Sequence, residues 1–326
     1  MENEVTLWKW DKGSNLPMEQ EDEDNSGQNA VFEPQLLASF NHRFGDVNEI
    51  QFLTADLLAV ASSEGSVTLL KVDKDNFGVG NSTGYKFSQV NKWAQLHSCC
   101  NAVSVHGDNI LSVGTEGTMA LLNGKRSAPL KSYKSADSGS ISSALFLRQD
   151  QAAAANSRGQ VKIWDLRSNE EQPSKVCHLA MDLVGLSSIG KHPTQPHVIV
   201  GGGSNGVLAF WDLRGSQDYP LSVVKAHSEA VSEVHFHDQQ PDHLFSCSQN
   251  GDVWHWNGSQ IGMFTNPATA NNSCIWLNSD VVKNRVDTKP LMAQSALPIN
   301  SMSIVGSSVL IAGDSEAIFV LPDIGI

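Results

Sequence analysis

The stretch His235-Phe236-His237, followed by His243 and Cys247, gathers three imidazoles and a thiol in a short span. Those are the ligand types of a zinc centre. Two histidines spaced i, i+2 on a strand share a face, however, and His237 runs into the turn Asp238-Gln239-Gln240-Pro241. His192-Pro193 stands at the same place one repeat earlier, which favours packing over ligation. No metal, cofactor or catalytic residue is assigned. The chain has no Gly-x-Ser-x-Gly elbow, phosphate loop or paired-metal motif. A propeller hydrolase would need a nucleophile–base pair, and none is visible.

A second grouping is a polar relay. His227 precedes a strand, and Ser246, Ser248, Asn250 and Trp256 follow it in the same repeat. An Asp in the turn would bond such a histidine with a charge-assisted gain, which Asn250 does not supply. The corresponding turn residues elsewhere are Glu64, Glu116, Arg158 and Asn205. The relay is expected to be degraded in every repeat, leaving packing to hold the fold. Arginine closes two other motifs, Trp164-Asp165-Leu166-Arg167 and Trp211-Asp212-Leu213-Arg214, where Arg167 and Arg214 are candidate partner contacts.

The elements that position these residues follow from one template, Gly-x-Val-x-x-Trp-Asp. Strong copies begin at Gly159, Gly206 and Gly251, and weaker ones at Gly65 and Gly117. Degraded copies begin at Asn3 and Glu316. Recurrence every ~40–45 residues with this ending marks WD40 blades, each a four-stranded sheet around a channel. The predicted fold is an all-β, seven-bladed WD40 β-propeller, one domain over 1–326. Its structural positions are Trp164, Asp165, Trp211, Asp212, His227 and Trp256. The glycine ends a tight turn that needs positive φ. Because the first template copy starts at Asn3, the first blade and the ring closure are expected to be incomplete at the N-terminus. Long loops are expected at 11–34, which is acidic, and at 73–92 and 258–289, which are rich in Asn and Ser.

The 326 residues carry a net charge of -13, which disfavours direct nucleic-acid binding through phosphate neutralisation. No apolar run is long enough to insert in a bilayer. Met1-Glu2-Asn3-Glu4 has no basic n-region, so no secretory signal is expected. Of the five cysteines, the neighbours Cys99 and Cys100 are not expected to bridge, and Cys177, Cys247 and Cys274 are expected to pack as small apolar residues in a reducing compartment.

Particular residues carry a resemblance beyond the general blade pattern. They are Ala144 to Arg148, Asn156 to Asp165, Lys191 to Val198, Leu221 to His227, Glu233 to His237, Asp242 to Ser248, and the Trp254-His255-Trp256 strand. With Gly313 to Ile318 at the end, they make the chain similar to the WD40-repeat nucleoporin family called nucleoporin forty-three. The resemblance implies a non-enzymatic scaffold subunit of the Y-shaped outer-ring subcomplex of the nuclear pore complex. It implies other nucleoporins as partners, a place in the nuclear envelope, support of mRNA and protein transport, and a kinetochore role in mitosis. It does not imply a homo-oligomer. The rival reading comes from the two Trp-Asp-x-Arg copies, which resemble the motif by which WD40 substrate receptors dock on a cullin-type ubiquitin ligase.

Overall fold

The computed structural model describes residues 3–9, 35–43, 45–75, 84–168, 170–179, 184–261 and 274–326. It is an all-β propeller whose described residues include a 3-10 turn (Ile275–Leu277) and one short α-helix, α1 (Ser279–Asn284). The acidic stretch 11–34 lies outside the described residues.

Strand order is the same in sheet after sheet, each strand pairing antiparallel with the next in sequence. The first complete sheet is β3 (Val47–Thr54), β4 (Leu57–Ser62), β5 (Val67–Asp75) and β6 (Gly84–Trp93). Next come β7 (Cys100–His106), β8 (Asn109–Gly114), β9 (Met119–Asn123) and β10 (Lys131–Tyr133). The third is β11 (Ile141–Arg148), β12 (Gln151–Asn156), β13 (Gln160–Asp165) and β14 (Lys175–His178). The fourth is β15 (Leu186–Lys191), β16 (Val198–Gly203), β17 (Val207–Asp212) and β18 (Ser222–Lys225). The fifth is β19 (Val231–Phe236), β20 (His243–Ser248), β21 (Val253–Asn257) and β22 (Asp287–Pro290). The sixth has three strands, β23 (Ile299–Val305), β24 (Ser308–Gly313) and β25 (Ile318–Leu321). A two-stranded ribbon, β1 (Asn3–Lys9) with β2 (Gln35–His42), stands apart from these six.

The core is distributed between neighbouring sheets. Trp164 is buried against Met119, Leu121 and Tyr133 of the preceding sheet, its ring 5.2 Å from that of Tyr133. Trp211 is likewise buried on Ala153, Ala155 and Ile163. Trp256 packs on Val198, Val200 and Phe210. Similar layers join β3–β6 to the second sheet and the fifth sheet to the sixth. The ribbon adds Val5 and Phe40 to Leu58, Val60 and Leu70. Burying an aromatic side chain of this size is among the larger single contributions a core can receive.

The described parts of two expected loops carry strands and a helix. Within 73–92, β5 runs on to Asp75 and β6 begins at Gly84, and the two pair over nine positions from Val67 to Asp75. The stretch 258–289 closes the fifth sheet with β22. It also buries Trp276 and Val282, with Trp276 stacked 5.6 Å from Phe210. Asn278 caps α1 by accepting from the amides of Asp280 and Val281.

Candidate functional site

Six strands, β3, β7, β11, β15, β19 and β23, begin their sheets, and all six share one irregularity. Each has a β-bulge at its second residue: Asn48, Asn101, Ser142, Ser187, Ser232 and Asn300. A bulge re-aims the side chain at the extra residue. On four of the six strands it aims across the junction to the following sheet. Asn48 Nδ2 donates to the Cys100 carbonyl at 2.8 Å, and Asn101 Nδ2 to the Ile141 carbonyl at 2.7 Å. Ser142 and Ser187 donate in the same way to the carbonyls of Leu186 and Val231.

On β3, β15 and β19 the next residue adds a second rung by accepting. Glu49 Oε2 accepts from the Val103 amide at 2.8 Å, Ser188 Oγ from Val234 at 3.2 Å, and Glu233 Oε2 from Met302 at 2.8 Å. These rungs tie the backbone of one sheet to the side chains of the one before. Burial raises the Glu49 carboxyl to about 7, against the lowering pull of its bonds to Gln51 and Val103; the Glu233 charge adds to the rise. The Asn-or-Ser at the second place of each first strand was visible in the sequence, but strand alternation gives it no special meaning.

Glycines in the template hold the outer side of each junction. Gly65, Gly117, Gly159, Gly206 and Gly251 all have positive φ, between 73° and 85°. A Cβ built on any of them would lie 1.7 to 2.2 Å from a carbonyl oxygen of the segment entering the next sheet. That segment's amides donate to the glycine carbonyl, as from Asp137 to Gly117 at 2.9 Å and from His227 to Gly206 at 2.9 Å. The sequence argument foresaw the φ requirement and missed the close approach. In the sixth sheet the position is Glu316, also at positive φ, 55°.

The polar relay is better preserved than expected. His227 Nε2 meets Ser246 Oγ at 2.8 Å, and Trp256 Nε1 donates to the same oxygen at 3.0 Å. Asn250 has turned away to Ser228 and Asp252. A second relay, absent from the sequence reading, joins His97 to Ser112 at 2.9 Å and to Thr118 at 2.6 Å. In the third sheet Asp137 replaces the histidine, accepting from Asn156 at 2.7 Å and pairing with Lys162 at 3.0 Å. Desolvation pulls His97 and His227 down to about 4, so both imidazoles are neutral.

The histidine-rich stretch does not converge. His235 bonds Glu233, His237 bonds the Gly306 carbonyl and the amides of Gln239 and Gln240, and His243 bonds His255. Among the described residues no group of three or more His, Cys, Asp or Glu could hold a metal ion. Cys247 is buried in the layer beside the sixth sheet. Asp165 and Asp212 end their strands half-buried, each binding the arginine two residues on. Arg167 is exposed and lies 3.1 Å from Asp150 and 3.4 Å from Asp165. Arg214 lies 2.7 Å from Asp212.

The repeated four-stranded sheets and the rungs between them define a β-propeller. No protein-family model matches the chain. The human nucleoporin Nup43 is 30% identical over 352 aligned residues, covering 98% of this chain and 88% of that protein, and the mouse Nup43 matches to the same extent. The Dictyostelium discoideum nuclear pore complex protein nup43 is 28% identical over 54% of the chain. The chain belongs to the Nup43 family of nucleoporins.

Proposed function

We propose that this chain is a non-enzymatic subunit of the nuclear pore complex, a scaffold in the Y-shaped outer-ring subcomplex that supports mRNA and protein transport. Its partners are other nucleoporins, and its location is the nuclear envelope at the pore. A mitotic kinetochore role follows from the same family membership. In this reading the chain is one seven-bladed propeller domain over 1–326, with β1–β2 the outer half of the first blade. The observation that carries the proposal is the likeness to human Nup43 through 98% of the chain. It is supported by side chains that join the first strands of neighbouring sheets. The ubiquitin-ligase reading is not favoured, since Arg167 and Arg214 are engaged by aspartates of their own sheets.

A C-terminally tagged chain tests this. It should give a nuclear-rim signal and co-purify pore scaffold subunits under mild salt. Arg167→Ala with Arg214→Ala should leave both unchanged. Recovery of a ligase adaptor without rim signal would overturn the proposal.

A further inference from the structure

The second and third sheets meet around a cleft of about 490 Å³ at the end where the turn Gln149-Asp150 enters β12, opposite the Gly159 turn that leaves it. The floor of the cleft is apolar. Leu121 of β9 and Leu166, just after β13, are the most exposed members of the layer that holds Trp164, each at 8%. Leu130, whose amide donates to the Leu121 carbonyl at 2.8 Å, is 41% exposed.

The rim is charged and unevenly matched. Arg167 lies 3.1 Å from Asp150 and 3.4 Å from Asp165, so one guanidinium takes both carboxylates. Asp150 is the carboxylate that lines the cleft. Arg148, exposed at the end of β11, lines it too, and its guanidinium has no hydrogen bond or ion pair to any described residue. The Arg148 charge is felt in the fourth sheet. Burial holds His197 below its ordinary range, and the Arg214 and Arg148 charges lower it further, against the pull of Asp212.

The whole chain carries a charge of -13. An unpaired arginine over apolar ground is therefore a local exception, a place where an acidic segment meets attraction and can also bury a side chain. Arginine beside an apolar pocket is also the composition of an interface anchor.

We propose that this cleft is a docking site for an acidic segment of a partner protein, which inserts one Leu or Phe between Leu121 and Leu166 and sets an Asp or Glu on the Arg148 guanidinium. The carboxylate and the guanidinium match as a planar, two-bonded pair. The inserted side chain extends the Trp164 layer outward and covers floor that water now reaches. Nothing in this chemistry depends on the pore complex, and the site is separate from the rungs that join the first strands.

The test uses the full chain and labelled nine-residue peptides with four alternating Glu and Asp residues on each side of a central Leu or Phe. Fluorescence anisotropy should show saturable binding of at least one of them. The same peptide with Ala at its centre should bind at least tenfold more weakly, and one with Lys in place of every acid should not bind. Arg148→Glu should weaken binding at least tenfold and Arg148→Gln at least threefold, with Tm within a degree or two. Arg126→Glu removes an exposed arginine that does not line the cleft and should change affinity less than twofold. Hydrogen exchange at 148–150 and 166–167 should slow when the peptide is added.

Absence of saturable binding by both the Leu and the Phe peptide overturns the proposal. So does equal binding of the Ala peptide, which would remove the anchor, or of the Lys peptide, which would remove the charge. Equal losses in Arg148→Glu and Arg126→Glu would reduce the effect to long-range attraction and overturn it as well. If Arg148→Glu lowers Tm by more than a few degrees, Arg148→Gln carries the comparison, and unchanged affinity in that variant overturns the proposal.

Discussion

Replacing Gly206 by Ala should destabilise the propeller far more than replacing Gly306, although both glycines have positive φ. Gly206 sits at φ 83° and Gly306 at φ 56°. An added Cβ meets nothing within 4 Å at Gly306. At Gly206 it falls 2.2 Å from the His227 carbonyl oxygen and 2.5 Å from that of Glu229. The left-handed backbone alone costs an L-residue about 1–2 kcal/mol, part of which a stiffer unfolded chain offsets. At Gly206 the entering segment must also retreat by roughly an ångström to restore ordinary contact. That retreat weakens the bonds from Ala226 and His227 to the Gly206 carbonyl, at 3.0 and 2.9 Å, and draws His227 off Ser246. At about 0.5–1.5 kcal/mol for each bond, the whole cost is ~3–5 kcal/mol, against ~1 kcal/mol for Gly306→Ala. Urea denaturation followed by tryptophan fluorescence measures both, with equal slopes required for the comparison. Losses within about 1 kcal/mol of each other would refute the close-approach argument and leave φ as the whole reason for the glycine.

Trp164→Ala and Trp211→Ala should each cost ~3–5 kcal/mol through lost burial and a cavity, and an unchanged Tm in both would contradict the assigned packing. Ser246→Ala removes the shared partner of buried His227 and Trp256, so chemical denaturation should show a loss of about 1–3 kcal/mol. Acid should weaken the fold in a defined window. Desolvation holds His97, His192, His227 and His255 at about 4, whereas an unfolded histidine titrates near 6.5. The unfolded chain therefore binds more protons between these values, and stability is full above about 6.5 and falls as the pH drops toward 4. Each histidine contributes up to ~1.4 kcal/mol per pH unit in that range. Glu49, raised to about 7, acts in the opposite sense from its ordinary 4.5 upward. A Tm that is flat from pH 7 to pH 4.5 would show that these imidazoles are not held neutral.

The third strand of each sheet was legible because its Gly turn and terminal Trp-Asp sit at fixed spacing. Other strands were hidden for physical reasons. β12 is Gln-Ala-Ala-Ala-Ala-Asn, a composition with no β-branched residue to announce it. Its alanines are buried because Trp164 fills the layer on one side and Trp211 the layer on the other. β15, Leu-Ser-Ser-Ile-Gly-Lys, looks like a linker; its serines supply the rungs to Val231 and Val234. β6 is polar because it is the outermost strand of its sheet, and polarity with Asn and Ser reads as loop. Its partner β5 imposes the strand by pairing along its whole length. The relay at His227 was underestimated because the argument required an acid in the turn. Ser246 alone bridges the imidazole and the indole.

The rungs at the bulges point forward and give the propeller a grammar of cause and effect, with Lys191 of β15 the side chain that donates back, to the Phe146 carbonyl of β11. Deleting the side chain of Asn101 should loosen β11, which loses a donor at its Ile141 carbonyl, while β3 keeps its own bond to Cys100. Damage at a junction is thus passed forward around the ring, and each sheet depends first on its predecessor. A force applied at the N-terminus would peel the β1–β2 ribbon from Leu58 and Val60 without breaking a rung. A force on the C-terminus would instead unzip β25 from β24 before it reached the Glu233–Met302 bond. The two ends of this chain are mechanically different handles, and pulling on each in turn should give unequal first rupture events.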